Sequence, residues 1–585
     1  KHSLFLQPIL FLHQYLIKVF YKRFEILLIF RKTKMAAIPE DAKCIMETKD
    51  GPVCGYSEKT DEGTCYKFKS IPYAKPPIGN LRFLPPSPIQ PWTEVIDCTQ
   101  DAPLPIYRSV TDEISGSEDC LYIELSTPSI KPDKPIPVMF WIGGYGYACV
   151  LDHIFDPTLI NDQNIVFVRC GYRTGPFGFL SINDYAAPGN CGLKDIVLAL
   201  KWVKRNISTF GGDPNNVTIF GSSSGGSIVN FMMLSPMATG LFHKAVIQSA
   251  SVLNNWSLAK NPSLAVIELA KLLGIQKVCK EEIVEELRSI PAMDITIAFQ
   301  NFKIESGERA DSDLIDAVFK PCIEVDLEGQ AAFLTKSPLS LLKSGNFNKV
   351  PCILGSNNIE GAVLQHMNEN FYSNFEKYNE NVRLLVPREL ARKDKFSESI
   401  GHQLLKFYLD GEDHLTADTR TQYLQLISDY YFSYYVNKTV RLLCTAGCPV
   451  YYYILNYAGE WAVPKKLNFL NSTGHCAELS FLFRIKMPEE CKGSRDSVKT
   501  RRRVIKMWTN FAKTGNPTPD EDDPLLSITW DPVENKERLN YLSIGSELTK
   551  GRNPFYERMK FWDALHKEHT FLRAFVHFNE MGYSV

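Results

Sequence analysis

The sequence has almost no net charge: 65 basic residues against 66 acidic ones leave −1. Without a positive field, nothing draws in nucleic acid or an anionic membrane surface. Basic stripes, RNA-binding signatures and the phosphate-cradling GxxxxGK(S/T) pattern are missing too, as are the CxxC pairs of zinc and redox sites. Cys444 and Cys448 sit close together, but no further His or Cys pair lies nearby to complete a metal shell. From Met35 onward no uncharged apolar run reaches the ~18 residues that a membrane-spanning helix needs. No solenoid-length repeat or low-complexity linker interrupts the chain. These absences leave a neutral, apolar small molecule as the expected partner, with no nucleic acid, no metal and no transmembrane anchor in the main domain.

What is present is material for a large core. A hydrophobic fraction of 44% with 12% aromatics excludes disorder. The 15 cysteines are an odd number, so at least one is free or paired between chains. Residues 1–34 are apolar but broken by Lys18, Lys22, Arg23 and Glu25, and Met35-Ala36-Ala37-Ile38-Pro39 reads as a start. That stretch is expected to be upstream sequence, with an amphipathic membrane anchor as the competing expectation. The main domain is expected over 40–567, followed by a C-terminal tail over 568–585.

Short apolar, β-rich runs alternate with longer helical patterns, which predicts an α/β fold: a mainly parallel sheet with helices on both faces. Strands are expected at Ile136 to Ile142, Ile165 to Cys170, Val217 to Phe220, Ala245 to Gln248, Val350 to Leu354 and Val450 to Leu455. Leu193 to Phe210 has helical spacing (Ile196, Leu200, Val203, Ile207) and stops at Gly211-Gly212, and Ser227 to Met233 opens another helix. Helical patterns dominate 258–300, 372–445 and 497–514.

Gly221-Ser222-Ser223-Ser224-Gly225 stands between an expected strand and an expected helix. G-x-S-x-G alone is a weak signal, and a Gly/Ser-rich loop without chemistry is the plain alternative. In this context it predicts a nucleophile elbow, a strained turn that presents a serine hydroxyl. Of the three serines only Ser223 has glycine on both sides at the required spacing. An activated serine needs a base, and the base needs an orienting acid. Glu360 follows the strand at Val350 to Leu354, where a carboxylate is well placed. His475, in Gly474-His475-Cys476-Ala477-Glu478-Leu479, is the candidate base. His366 is too near Glu360, and His402, His414, His566, His569 and His577 fall in helical or terminal stretches.

Further segments carry a resemblance. Phe68-Lys69-Ser70-Ile71-Pro72-Tyr73-Ala74-Lys75-Pro76-Pro77, Ser117-Glu118-Asp119-Cys120-Leu121-Tyr122, Gly175-Pro176-Phe177-Gly178-Phe179-Leu180, Phe210-Gly211-Gly212-Asp213-Pro214 and Trp508 to Pro517 occur in order around the elbow. With them the chain resembles the type-B carboxylesterase/cholinesterase family, particularly its insect carboxylesterases, from about Cys44 to His566. The resemblance implies an α/β-hydrolase fold and a serine carboxylesterase without cofactor, working through an acyl-enzyme. It places the triad on Ser223, Glu360 and His475, and the oxyanion hole on the amides of Tyr145, Gly146 and Ser224. It also implies a disulfide between Cys98 and Cys120. The second family disulfide is absent, with Ile275 and Glu286 where its cysteines would stand.

The chain departs from the family pattern around the expected oxyanion site. Trp141-Ile142-Gly143-Gly144-Tyr145-Gly146-Tyr147 replaces Trp-Ile-His-Gly-Gly-Gly-Phe, Ser222 replaces the usual Glu, and Ser224 the usual Ala. Tyr145 is expected at positive φ, with weak activity or altered substrate choice as the consequence. No tryptophan lies between Cys98 and Cys120, so a quaternary ammonium ester is not the expected substrate. Ser222 stands where a juvenile hormone esterase is expected to carry Gln. The expected substrates are aliphatic or aromatic esters of small to medium size. Sequons at Asn206, Asn216, Asn255, Asn437 and Asn471 do not decide the compartment, and an intracellular site is expected over a secreted or ER-associated one. A non-catalytic adhesion protein of this fold and a low-turnover protein that sequesters esters or organophosphates are the alternatives.

Overall fold

The computed structural model describes residues 38–60, 63–108, 113–150, 152–301, 318–362, 373–387, 389–390, 395–461, 473–485 and 493–580. The stretch 1–34, His366 and Asn471 lie outside them.

Four short strands among the described residues pair off as two separate two-stranded ribbons, and the other thirteen build one sheet. In chain order these are β1 (Lys43–Glu47), β2 (Pro52–Thr60), β3 (Gly63–Pro72), β4 (Ile96–Asp97), β5 (Tyr122–Thr127), β6 (Ile136–Ile142), β7 (Val166–Cys170), β8 (Gly212–Ser222), β9 (Lys244–Gln248), β10 (Cys352–Asn357), β11 (Val450–Leu455), β12 (Asn540–Ile544) and β13 (Leu548–Arg552). Their spatial order is β1-β2-β3-β5-β7-β6-β8-β9-β10-β11-β12-β13, with β4 beside β2. From β7 through β12 every pairing is parallel. The first three strands with β5, and the β12–β13 hairpin, are antiparallel flanks.

The apolar runs of the central strands follow from burial on both faces. In β6, Val138, Phe140 and Ile142 enter one core while Met139 and Trp141 enter the other; in β9, Ala245 and Ile247 oppose Val246. Helices α1 (Cys191–Asn206) and α2 (Ser224–Leu234) cover the first face with Ile196, Leu200, Val203, Ile228 and Val229. Helix α4 (Arg495–Thr514) covers the second with Val504, Met507, Trp508 and Phe511. Each fully buried side chain of this kind contributes about 1.5–3 kcal/mol of transfer free energy. This is the layered α/β architecture expected from the pattern.

Boundaries moved where tertiary packing extends an element. The expected short strand at 217–220 is the end of the longer β8, which has an irregular register between Gly212 and Val217. The helical region 372–445 divides into several pieces, among them a π-helical turn at Asp429–Ser433 that runs into α3 (Tyr434–Thr445). A helix spans Tyr556–Glu580, so the stretch expected as a tail is helical up to that point.

The Cys98–Cys120 disulfide is a correction: both residues are free and buried. The Cys98 thiol donates to the Ser70 carbonyl at 3.5 Å instead. Burial pushes it up to about 12, and pushes the Cys120 thiol well above the ordinary range. Asn206 and Asn437 are also buried, so neither sequon accepts a glycan in the folded chain.

Candidate active site

The parallel strands present their carboxyl ends on one edge of the sheet, where loops can converge. Ser223 follows β8 directly and starts α2, with φ 58° and ψ −131°. A non-glycine residue in that region costs on the order of 1–3 kcal/mol and persists only when its surroundings enforce it. Here the Ser223 N–H donates to the Gln248 carbonyl at 3.0 Å, and its carbonyl accepts from Ser227 N–H at 2.9 Å. Gly225 is required by close approach, since a Cβ there would lie 2.2 Å from the Ile142 carbonyl oxygen. Gly221 is similarly crowded, 2.7 Å from Ile142 and Gly225 backbone atoms.

Glu360 lies in the turn after β10 and is fully buried. One carboxylate oxygen accepts from the Asn357 N–H at 2.6 Å, and the other meets His475 Nδ1 at 2.7 Å. The His475 backbone N–H also donates to the Glu360 carbonyl at 3.2 Å. Phe432, from the π-helical turn, lies against the imidazole with ring centroids 4.3 Å apart. Nδ1 is thus committed to the acid, leaving Nε2 as the ring's second exchange position. Burial of the ring opposes its charged form, but Cys476 and the Glu360 carboxylate more than offset it and hold the imidazole above its usual value. Among the hydrogen bonds of the described residues, none joins the Ser223 hydroxyl to His475. Such contacts are often long without substrate. His402 and His566 lie on helices away from this pair, and His414 is exposed beside Asp413.

A buried carboxylate bonded to an imidazole thus stands at the carboxyl edge of the parallel sheet, with a strained serine at a strand-to-helix turn of the same edge. A model described as the carboxylesterase family matches residues 42–562. The chain belongs to the carboxylesterase family. It is similar to juvenile hormone esterase of Tribolium castaneum, 32% identical over 88% of this chain and 93% of that protein. Esterase FE4 of Myzus persicae is 31% identical over 84% of this chain and 87% of its own. Cocaine esterase of Homo sapiens is 29% identical, covering 89% and 91% respectively.

This carboxylesterase has a second buried acid that the sequence reading left without a role. Glu478, on the same turn as His475, receives a hydrogen bond from the Ser222 hydroxyl. Its other oxygen accepts from Asn357 Nδ2 at 2.8 Å, and the same nitrogen donates to the Gly474 carbonyl. Asn357 therefore bridges both carboxyl groups, its backbone serving Glu360 and its side chain Glu478. Burial and then the Glu360 charge push the Glu478 carboxyl up, toward its neutral form. Its spacing from His475 was visible in the sequence, but its link to Ser222 spans 256 residues.

Asp152 fills the space that a side chain would need at Gly143, the position where the family usually has His. A Cβ on Gly143 would lie 2.0 Å from Asp152 Oδ2. The Asp152 carboxyl is buried, and among the described residues no well-formed hydrogen bond reaches either oxygen, the Trp141 indole being close but poorly aligned. Burial pushes it up to about 7, opposed by the Arg169 guanidinium and the Trp141 indole. In the unfolded chain it ionises near its ordinary value of 3.8. Between those values the folded chain keeps a proton that the unfolded chain releases, so stability falls as pH rises through the window and stays lowered above it. Asp152→Asn should therefore raise the thermal midpoint most above about pH 7, with a gain that vanishes below about pH 4. Calorimetry over that range checks it, and a shift independent of pH would refute it.

The loop that follows is strained. Tyr145 has φ +134° and Tyr147 φ +63°. The Tyr145 ring packs against the small cluster of Tyr107 and Cys149. Its N–H donates to Ser224 Oγ at 2.9 Å, and the Tyr147 N–H reaches the same oxygen at 3.3 Å. No group of three or more His, Cys, Asp or Glu among the described residues is placed to hold a metal ion, and none of their helices is long and apolar enough to cross a membrane.

Proposed function

We propose that this carboxylesterase hydrolyses carboxylic esters through an acyl-enzyme on Ser223, with His475 as base and Glu360 as the acid that orients it. The observation that carries this reading is the 2.7 Å bond between His475 Nδ1 and buried Glu360. Ser223 Oγ attacks the ester carbonyl while Nε2 takes its proton, and the alcohol leaves with that proton. Water then repeats the sequence, and the carboxylic acid departs. Glu360 favours the imidazolium formed at each step. The Tyr145, Gly146 and Ser224 amides are the candidate donors to the oxyanion.

The proposed substrates are small to medium aliphatic and aromatic esters, consistent with a net charge of −1 that offers no field for a charged polymer. The free thiols of Cys98 and Cys120 support an intracellular site of action. A fluorescent alkylphosphonate should label the protein once per chain, with the adduct on the peptide carrying Ser223 by mass spectrometry. A reporter ester should turn over in parallel. Absence of labelling would sink the reading. Labelling without turnover would favour the second reading, a sequestering protein, which the capture of the Tyr145 N–H by Ser224 keeps open.

A further inference from the structure

The residue after the proposed nucleophile is fully buried, and its hydroxyl sits inside the curve of the 143–147 loop. Ser224 Oγ accepts from the Tyr145 N–H at 2.9 Å and from the Tyr147 N–H at 3.3 Å. The loop closes tightly over it: a Cβ on Gly144 would lie 3.0 Å from Ser224 Oγ and 2.7 Å from backbone atoms of Ser222 and Gly225. The alanine usual in the family at this position has no oxygen to offer those amides.

An amide N–H carries one hydrogen. When it points at Ser224 Oγ it does not also point at a carbonyl oxygen held over Ser223. We propose that Ser224 is a positioning residue whose hydroxyl competes with the substrate oxyanion for the Tyr145 N–H, and so limits turnover and selects among esters. This rests on the reading of Ser223 as nucleophile. To serve the oxyanion, the Gly144–Tyr145 peptide has to rotate away from Ser224 Oγ. The Tyr145 ring, lodged against Tyr107 and Cys149, opposes that rotation.

The consequence for substrate class follows from where charge develops. Attack on an alkyl ester places heavy charge on the carbonyl oxygen, so it depends most on the withheld donor. Aryl esters, whose leaving groups carry part of the charge, depend on it less. The wild-type enzyme should therefore favour aryl over alkyl esters of the same acid.

The test is Ser224→Ala in the full chain, assayed on an aryl and an alkyl butyrate and with an alkyl trifluoromethyl ketone, which forms a tetrahedral oxyanion adduct. Loss of one oxyanion donor typically lowers rates ~10²–10³-fold. Restoring it should raise kcat/KM on the alkyl ester at least ~10-fold, raise kcat/KM on the aryl ester less, and tighten the ketone at least ~10-fold. Unchanged or lowered kcat/KM and ketone affinity in a protein of wild-type thermal midpoint would overturn the proposal, because the hydroxyl would then be a support the loop needs. If Ser224→Ala does not fold, Tyr145→Gly decides: it releases the ring anchor and should move the same two readouts the same way, and no change overturns the proposal. Failure of the underlying reading looks different, since Ser223→Ala would then keep its esterase activity.

Discussion

Ser223→Ala is expected to lower kcat on a reporter ester by about 10⁵–10⁶-fold, the scale on which removal of a triad nucleophile acts. The loss should be chemical rather than structural. What holds this residue at φ 58° are backbone bonds, from its N–H to Gln248 and from Ser227 to its carbonyl, and alanine keeps both. Crowding at Gly221 and Gly225 is unchanged by the substitution. The thermal midpoint should therefore stay within a few degrees of wild type while phosphonate labelling disappears. Retention of more than about a tenth of the activity would refute the nucleophile assignment. The neighbouring serines make a sharp internal control: Ser222 is bonded to Glu478 and Ser224 is covered by the loop, so neither hydroxyl substitutes for Ser223.

Glu360→Gln is expected to lower kcat by roughly 10⁴-fold with little change in KM. The amide fits the same space and still accepts from the Asn357 N–H, but its NH₂ facing Nδ1 would favour the tautomer with the proton on Nε2. That tautomer cannot take the proton of Ser223. The pH profile provides a second readout. The base works only when neutral, and Glu360 is among the groups that raise the imidazole above its usual value. The wild-type rate should thus climb with pH through a limb above the ordinary histidine value of about 6.5. In Glu360→Gln the limb should move to lower pH. Glu478 moderates the shift, because the Glu360 charge that keeps it toward neutrality is gone. An unmoved limb would show that Glu360 does not face the titrating ring.

Much of the fold was legible because the central strands are buried on both faces. Strands such as β6 and β11 were bounded correctly, since an uninterrupted apolar run reports that environment directly. The antiparallel flanks went unread: β1 alternates between exposed and half-buried residues, and β13 carries little buried surface, so neither has a strong apolar signal. The π-helical turn that brings Phe432 onto His475 leaves no periodicity distinct from the helices around it. The Cys98–Cys120 pairing followed the family pattern, whereas the folded chain keeps two separate thiols.

By itself the sequence determined the layered α/β architecture, the elbow that isolates Ser223, and the acid and base candidates that the fold joins as Glu360 and His475. These are legible because each depends on residues close along the chain: glycines flanking a serine, or a carboxylate just past a strand. What the tertiary structure alone decided are contacts between distant segments. Ser222 bonds Glu478, and Ser224 takes the N–H of Tyr145. Each is set by which side chain the packing brings within 3 Å of a buried polar atom, and no local spacing encodes that.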